Sequence, residues 1–129
     1  MPNVSPAGAA RTHWDPRWLA LAVLCTVSVL ILTHLPQDPT PEAVRKGFLH
    51  IDKGEHFLAY GVISLFAVLS RKRPVPSGTL VALLLGVAAV ALADEMTQPW
   101  TGRDCAFTDM VANLTGVAAV GTISYLWRR

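Results

Sequence analysis

Apolar and polar residues alternate in long blocks along this chain. Runs with few or no charged residues cover positions 18–35, 57–69, 79–93 and 107–127, and polar segments separate them. Positions 18–35 hold no Asp, Glu, Lys or Arg, and this length is near the lower limit for a helix that crosses a bilayer. The second run reaches that length only if its helix begins at Asp52. The pattern therefore predicts membrane-spanning helices over about 18–35, 52–70, 79–97 and 107–127.

The polar segments predict the remaining organisation. Positions 1–16 are rich in Pro, Ala, Gly and Asn and show no apolar period, which indicates a disordered tail before a four-helix domain over 17–129. Positions 36–54 contain three prolines and many polar residues, which is typical of an exposed loop. The Arg71–Arg73 cluster and Pro74 end the second run, and Pro99 closes the third.

A cleaved signal peptide is the alternative interpretation of the first apolar run. Arg11 and Arg17 precede it, as in a secretory signal. However, the run ends at positions 31–36 without the small-x-small pattern of a cleavage site, and Leu24 is too large to precede a lipoprotein cysteine at Cys25. We therefore expect an uncleaved helix.

Composition supports a membrane protein. Of the 129 residues, 52% are hydrophobic and 16% are charged, with a mean hydropathy of +0.40. Soluble domains are about one quarter charged, so this chain lacks the charge that a water-facing surface normally carries. The two cysteines, Cys25 and Cys105, are expected to be too far apart to pair, and no CxxC metal motif occurs.

The distribution of basic residues predicts the orientation. Arg11, Arg17, Arg71, Lys72, Arg73, Arg128 and Arg129 fall on one side of the predicted bundle, and the other side receives Arg45, Lys46, Lys53 and Arg103. The side richer in Lys and Arg usually faces the cytoplasm. The predicted fold class is therefore all-α, an integral membrane four-helix bundle with both termini cytoplasmic and with loops 36–54 and 98–106 outside.

This topology gathers polar residues that are scattered in sequence. The start of the second helix, the end of the third and the start of the fourth all reach the extracytoplasmic face. Asp52, His56 and Tyr60 are spaced i, i+4, i+8, so they share one helix face. Because charge that faces acyl chains is costly, these faces should turn inward and line a cleft open to the outer surface. The residues of this predicted patch are Asp52, Lys53, His56, Tyr60, Asp94, Glu95, Gln98, Arg103, Asp109 and Asn113, with Gly116 on the same face of the fourth helix.

The patch contains candidate catalytic groups. A histidine flanked by carboxylates can act as a general acid or base near neutral pH. We therefore treat His56, Glu95, Asp94 and Asp52 as candidate catalytic residues. His56 with three of the carboxylates could bind a divalent ion, but the spacing matches no metal motif, so no metal site is predicted and the cofactor is unknown.

The patch also contains candidate substrate-binding groups. Arg103 can hold a phosphate or carboxylate through two parallel hydrogen bonds, and Lys53 can add a second positive charge. The other substrate-binding candidates are Tyr60, Gln98, Asp109 and Asn113. No nucleotide-binding loop and no nucleic-acid surface is found in the sequence.

Each candidate also has a structural explanation. Asp52 with Glu55 fits a capping box at the start of the second helix. Arg103 could be the counter-ion of Glu95 or Asp109. The remaining explanations are a helix cap by Thr108 or Asp109, snorkelling by Lys53, an interhelical hydrogen bond by Asn113, and interfacial positions for Tyr60 and Trp100.

The polar residues resemble the motifs of the VanZ-like family of small bacterial membrane proteins. The resemblance rests on Asp52-Lys53-x-x-His56-Phe57-x-x-Tyr60, on Asp94-Glu95-x-x-Gln98, and on Gly102-Arg103 followed by Asp109, Asn113 and Gly116. It covers about positions 52–121, and the link between Gln98 and Arg103 is short.

The resemblance implies a multi-pass protein of the bacterial cytoplasmic membrane, in a family whose founding member is associated with low-level teicoplanin resistance. Function labels carried by analogy need support from the site itself. The leading hypothesis is a site that binds or processes an anionic envelope lipid or lipid-linked precursor. The alternatives are a non-enzymatic accessory protein, whose polar patch is a structural network, and a proton or ion path, which the apolar cytoplasmic halves of the helices disfavour. The lipid bilayer is the expected partner, and protein partners are not indicated.

Overall fold

The chain folds into four helices in the computed structural model, which describes residues 14–35 and 42–129, with backbone only over 42–52. The helices are α1 (Pro16–Thr33), α2 (Glu42–Leu69), α3 (Ser77–Thr97) and α4 (Phe107–Trp127), and a short 3₁₀ helix (Gln98–Thr101) extends α3. The described residues form no β-strand. The predicted all-α class is confirmed, and the third and fourth helices lie close to their predicted bounds.

The predicted start of the second helix is wrong. α2 begins at Glu42, so the part of the predicted loop from 42 to 54 is helical, whereas 36–41 lie outside the described residues. All three prolines of the segment precede Glu42, and Val44, Phe48 and Ile51 recur at helical spacing. The spacing of apolar residues is therefore compatible with a helix that begins before Asp52, although the polar composition of this segment favoured a loop.

The predicted tail is also too long at its C-terminal end. Positions 1–13 lie outside the described residues, but Trp14 and Asp15 are part of the fold. The Asp15 carboxylate caps α1 by accepting from the Arg17 N–H at 3.0 Å, and Pro16 occupies the first helical position. The Asp15 N–H donates to the Ser70 carbonyl at 2.6 Å, which ties the start of α1 to the end of α2.

Several polar side chains are buried and many large apolar side chains are exposed, which is the reverse of the distribution in a soluble protein. The buried side chains include Asp94, Glu95, Gln98 and Asn113, whereas large apolar side chains such as Leu24 are exposed. In water this arrangement would lose the hydrophobic driving force and leave a large apolar surface. By length and composition, three of the described helices can cross a membrane: α1, α3 with its 3₁₀ extension (Ser77–Thr101), and α4. The fold is that of a membrane-embedded helical bundle.

α2 and α4 form the main interface, and α2 also contacts α1 and α3. Small residues allow the close approach of α2 and α4. A Cβ added at Gly116 would collide with the Phe57 backbone carbonyl, and one added at Gly61 would meet the Val120 side chain at 2.8 Å. In a bilayer, such close backbone contact replaces the hydrophobic effect as the source of helix association.

The bundle has two chemically different ends. The polar end, where α1 and α3 finish and α4 begins, contains Thr33, His34, Lys53, Glu55, His56, Tyr60, Asp94, Glu95, Thr97, Gln98, Arg103, Asp104, Asp109 and Asn113. The basic end, where α1 begins and α2 and α4 finish, contains Arg17, Arg71, Lys72, Arg73, Arg128 and Arg129. Most of the predicted site residues therefore lie together at one end of the bundle.

Candidate functional site

Asp94 connects three helices at the polar end. Its side chain is fully buried, with Oδ2 accepting from the Tyr60 hydroxyl of α2 at 2.7 Å and Oδ1 accepting from the Thr33 hydroxyl of α1 at 2.6 Å. Two short hydroxyl donors offset part of the cost of burying a carboxylate. Asp94 therefore fixes the end of α1 and the middle of α2 relative to α3.

His34 extends this network to the bundle surface. Its Nδ1 lies 2.9 Å from the Leu30 carbonyl and 3.4 Å from Asp94 Oδ1, and its Nε2 lies 3.0 Å from the Thr97 hydroxyl. Because a carbonyl oxygen only accepts, Nδ1 carries a proton. The Thr97 hydroxyl donates to the Ala93 carbonyl of its own helix at 2.8 Å, and its oxygen is the atom that His34 Nε2 contacts. Protonation of this ring would place an additional positive charge beside Asp94.

Glu95 is buried on the other side of α3 and has different partners. Its Oε1 accepts from the Ala106 backbone N–H at 2.8 Å, and its Oε2 accepts from the Gln98 amide at 3.2 Å. The i, i+3 spacing of Glu95 and Gln98 places them on one face, as the sequence predicts. Ala106 directly precedes α4, so Glu95 connects the end of α3 to the start of α4.

Polar side chains of α2 and α4 contact each other at the polar end. Lys53 Nζ donates to Asp109 Oδ1 at 2.8 Å, and His56 Nδ1 lies 3.0 Å from Asn113 Oδ1. His56 Nε2 faces Asp109 Oδ2 at 3.9 Å. An amide oxygen accepts, so Nδ1 of His56 carries a proton. Asn113 and Asp109 of the opposite helix thus hold the His56 ring in one orientation.

A left-handed turn places Arg103 at the polar end. Gly102 has φ of 79°, which favours glycine, and its N–H donates to the Pro99 carbonyl at 3.2 Å. The Arg103 N–H donates back to the Gln98 carbonyl at 3.3 Å, so the chain reverses within the short link that follows α3. The shortness of this link therefore brings Arg103 toward the helices.

The Arg103 side chain lacks a partner for its positive charge. Its Nε is buried and makes no hydrogen bond, and the guanidinium forms no ion pair with any described residue. A buried guanidinium nitrogen without a partner is costly, because water no longer solvates it. The Arg103 side chain is therefore available for an anionic ligand.

Arg103 lines a cavity of about 200 Å³. One wall is apolar and comes from Val29, Leu32 and Ala59. The rest of the lining is polar and consists of Thr33, Glu55, His56, Tyr60 and Arg103. An apolar wall beside one cation and one histidine fits an amphiphile whose head group carries a negative charge.

The structure brings the predicted patch together. All of the predicted site residues except Asp52 have described side chains, and they lie within the contacts given above or line the cavity. The side chain of Asp52 lies outside the described part of the chain. Its predicted role as a helix cap is wrong, because α2 begins at Glu42 and Asp52 is in the helix interior.

Of the other structural roles considered for the polar residues, some are wrong and one is confirmed. The alternative in which Arg103 pairs with Glu95 or Asp109 is wrong, since Lys53 neutralises Asp109 and Glu95 binds an amide and a backbone N–H. Snorkelling by Lys53 is replaced by this ion pair. α4 has Ala106 at its N-cap position without a side-chain cap, so Thr108 does not serve there. The interhelical hydrogen bond of Asn113 is confirmed.

Sequence reasoning missed the contribution of α1. Thr33 and His34 both contact Asp94, and Thr33 lines the cavity. A signal was present, because these two polar residues end an otherwise apolar run at the predicted extracytoplasmic face. Glu55, treated only as part of a cap, also lines the cavity.

The comparisons with known proteins give no identification. No family model, no curated protein and no solved structure matches this chain. What the site defines on its own is a class: a membrane-embedded helical bundle with a charged cavity at one end.

Proposed function

We propose that this protein is a VanZ-like, multi-pass protein of the bacterial cytoplasmic membrane that binds or processes an amphiphilic envelope molecule at the polar end. The ligand is an anionic lipid or a lipid-linked precursor, and the polar end faces outward with both termini in the cytoplasm. The observation that carries the proposal is the unpaired Arg103 guanidinium in a cavity with one apolar wall.

The energetics of Arg103 favour a ligand. The Nε atom of the half-buried Arg103 has no hydrogen-bond partner, and a bound anion would satisfy it. A guanidinium matches phosphate or carboxylate in two parallel hydrogen bonds. Among the described side chains of the polar end, Lys53 is the other Lys or Arg, and it already pairs with Asp109 at 2.8 Å. Arg103 is therefore the residue that supplies the positive charge for binding an anionic head group.

The cavity also holds groups that could transform a bound molecule. His56 lines it together with Tyr60, and Asn113 orients the His56 ring from α4. A histidine held in one orientation beside a bound phosphate or ester can transfer a proton in the transition state. In this proposal His56 handles protons and Arg103 holds the head group.

The test is native mass spectrometry of the detergent-purified protein, with wild type compared with Arg103→Ala. We expect wild type to retain a lipid-sized ligand and the variant to lose it, with affinity falling about tenfold or more because a charge-assisted contact is removed. Arg73→Ala is the matched control, since it removes an exposed arginine at the basic end. Equal ligand retention by Arg103→Ala and Arg73→Ala would contradict the proposal.

A non-enzymatic accessory role is the second candidate. The observation that favours it is that most of the buried polar groups already satisfy one another, as Asp94 does with Tyr60 and Thr33. His56→Ala separates the two roles. Loss of activity on a bound lipid at normal membrane abundance supports a functional site, whereas loss of abundance alone supports a structural network.

The orientation has its own test, because the two cysteines differ in position. Cys105 is exposed in the loop before α4, and Cys25 is half-buried in α1. In intact cells of a Cys25→Ser variant, a membrane-impermeant maleimide should label Cys105 without lysis. Labelling that requires lysis would place the polar end in the cytoplasm.

The link to glycopeptide resistance is tested separately from lipid binding. Expression in a teicoplanin-susceptible Gram-positive host should raise the inhibitory concentration of teicoplanin for wild type more than for Arg103→Ala. An unchanged inhibitory concentration would reject the resistance role and leave the binding site untouched.

A further inference from the structure

We infer that the head group held in this cavity is zwitterionic, with an anionic group bound by Arg103 and an ammonium group bound by Glu55. This inference rests on the Arg103 anion site of the proposed function. It replaces the net anionic ligand named there with a lipid whose phosphate binds that site and whose ammonium group balances the charge. It excludes polyanionic head groups such as a polyprenyl diphosphate. The chemistry it names is that of a phosphoethanolamine lipid.

The polar end carries more negative than positive charge among its described side chains. Apart from Asp104, these side chains include two cations, Lys53 and Arg103, and four carboxylates: Glu55, Asp94, Glu95 and Asp109. Opposite charges a few ångströms apart attract strongly where little water is present, and like charges repel equally. A ligand with two or more negative charges would face more carboxylates than cations, whereas a zwitterion adds no net charge.

Glu55 is placed where it can bind the ammonium group of such a head group. Its side chain is exposed and lines the same cavity as Arg103, yet the two form no ion pair with each other. Glu55 also forms no ion pair with another described residue. A cavity that presents a separate cation and a separate carboxylate is complementary to a head group that carries both charges.

The apolar wall of the cavity favours a lipid as the source of the zwitterion. The same chemistry occurs in a lipid and in a soluble phosphoethanolamine ester. Val29 and Leu32 belong to α1, and Ala59 belongs to α2, so the apolar wall spans these two helices. Burying apolar surface against it favours a molecule with an acyl chain over the free head group.

The experiment is a competition on the delipidated full chain, read by native mass spectrometry. Short-chain phosphatidylethanolamine, phosphatidylglycerol and a polyprenyl diphosphate are supplied at equal concentrations. We expect wild type to bind phosphatidylethanolamine in preference to the other two. A hundredfold excess of soluble glycerophosphoethanolamine should not displace it, and displacement would overturn the assignment to a lipid.

Glu55→Gln tests the ammonium contact. It should lower the ratio of phosphatidylethanolamine to phosphatidylglycerol bound by about threefold, a modest change because Glu55 is exposed. Asp104→Asn is the matched control, since it removes the same charge at the same end from a residue outside the cavity lining. This control should leave the ratio within experimental error of wild type.

The outcomes separate this inference from the proposed function. If phosphatidylglycerol or the diphosphate binds as well as phosphatidylethanolamine, and binding still depends on Arg103, the zwitterion is rejected and the anion site stands. If Glu55→Gln and Asp104→Asn shift the ratio equally, the Glu55 contact is rejected. If no lipid binds in an Arg103-dependent manner, the proposed function fails as well.

Discussion

The two ends of the bundle handle charge in opposite ways. At the polar end, Asp94 and Glu95 are buried and bonded to groups on other elements. At the basic end, Arg71 lies 4.3 Å from the centre of the Trp14 ring, and Arg128 donates to the Val68 carbonyl at 2.8 Å. The polar end thus satisfies buried carboxylates with hydroxyl, amide and backbone N–H donors. The basic end places its arginines against an aromatic face and a backbone carbonyl.

The difference reflects what each end must do in a bilayer. Long basic side chains can reach the interface and anchor a helix at little cost. Burial, followed by the charge of Arg73, lowers the pKa of the Arg128 guanidinium, and Asp15 partly opposes this shift. Buried Asp and Glu side chains are too short to reach the interface, so each needs a defined hydrogen-bond or ion-pair partner. The polar end is therefore the specific end, and the basic end is an anchor.

The largest expected effect comes from removing Asp94. Asp94→Ala leaves the buried Tyr60 hydroxyl without an acceptor and removes the Thr33 contact between helices, whereas the Thr33 hydroxyl keeps the Val29 carbonyl of its own helix. The two losses together cost about 2–4 kcal/mol in the free energy of unfolding. Thermal unfolding in detergent, followed by circular dichroism, measures the loss. Arg73→Ala at the basic end is the control and should change stability little. Equal melting temperatures for the two variants would abolish the contrast between the ends.

The second effect tests the close approach of α2 and α4. Gly116→Ala places a methyl group against the Phe57 carbonyl, which should cost about 1–3 kcal/mol by overpacking. Gly86→Ala in α3 is the matched control, because an added Cβ there meets nothing within 4 Å. We expect the control to be neutral or slightly stabilising through helix propensity. A Gly116→Ala protein as stable as Gly86→Ala would show that the interface adjusts freely.

The third effect isolates the contact of α1 with Asp94. Thr33→Val removes a hydrogen bond between helices and should lower stability by about 1 kcal/mol. Thr26→Val is the control, since the Thr26 hydroxyl bonds only to the Ala22 carbonyl of its own helix at 2.8 Å. Chemical unfolding of both variants in the same detergent measures the difference. Identical losses would mean that the cross-helix contact contributes nothing of its own.

The smallest effect is expected at the basic end. Arg71→Ala removes the contact with Trp14, and an exposed cation–π pair is worth about 0.5–1 kcal/mol. Arg71→Lys keeps the charge and should retain part of this stability. Thermal unfolding compares both with wild type. A loss as large as that of Asp94→Ala would contradict the view of this end as an anchor.

Much of this architecture could be predicted from the sequence. Hydropathy located all four helices, and the bounds of α4 agree with the prediction. The spacing of His56 and Tyr60 placed them on one face, and both line the cavity. These features depend on local periodicity, which a single chain displays directly.

Pairings between helices were predicted less well. The alternative role of Arg103 as the counter-ion of Glu95 or Asp109 was wrong, because Lys53 pairs with Asp109. The role of Thr33 was missed, because hydropathy treats a threonine near the end of an apolar run as part of the run. Partner choice depends on the rotation and depth of each helix, and neither is encoded in spacing along one helix.

The sequence by itself determined the all-α class, the apolar segments and the separation of acidic from basic residues, because these follow from composition and period. The tertiary structure decided that Asp94 joins α1 and α2, that Arg103 stays unpaired, and that a cavity opens beside it. The physical reason is packing. Contacts such as Gly116 against Phe57 set how closely and at what rotation the helices meet, and only that geometry selects which polar groups touch.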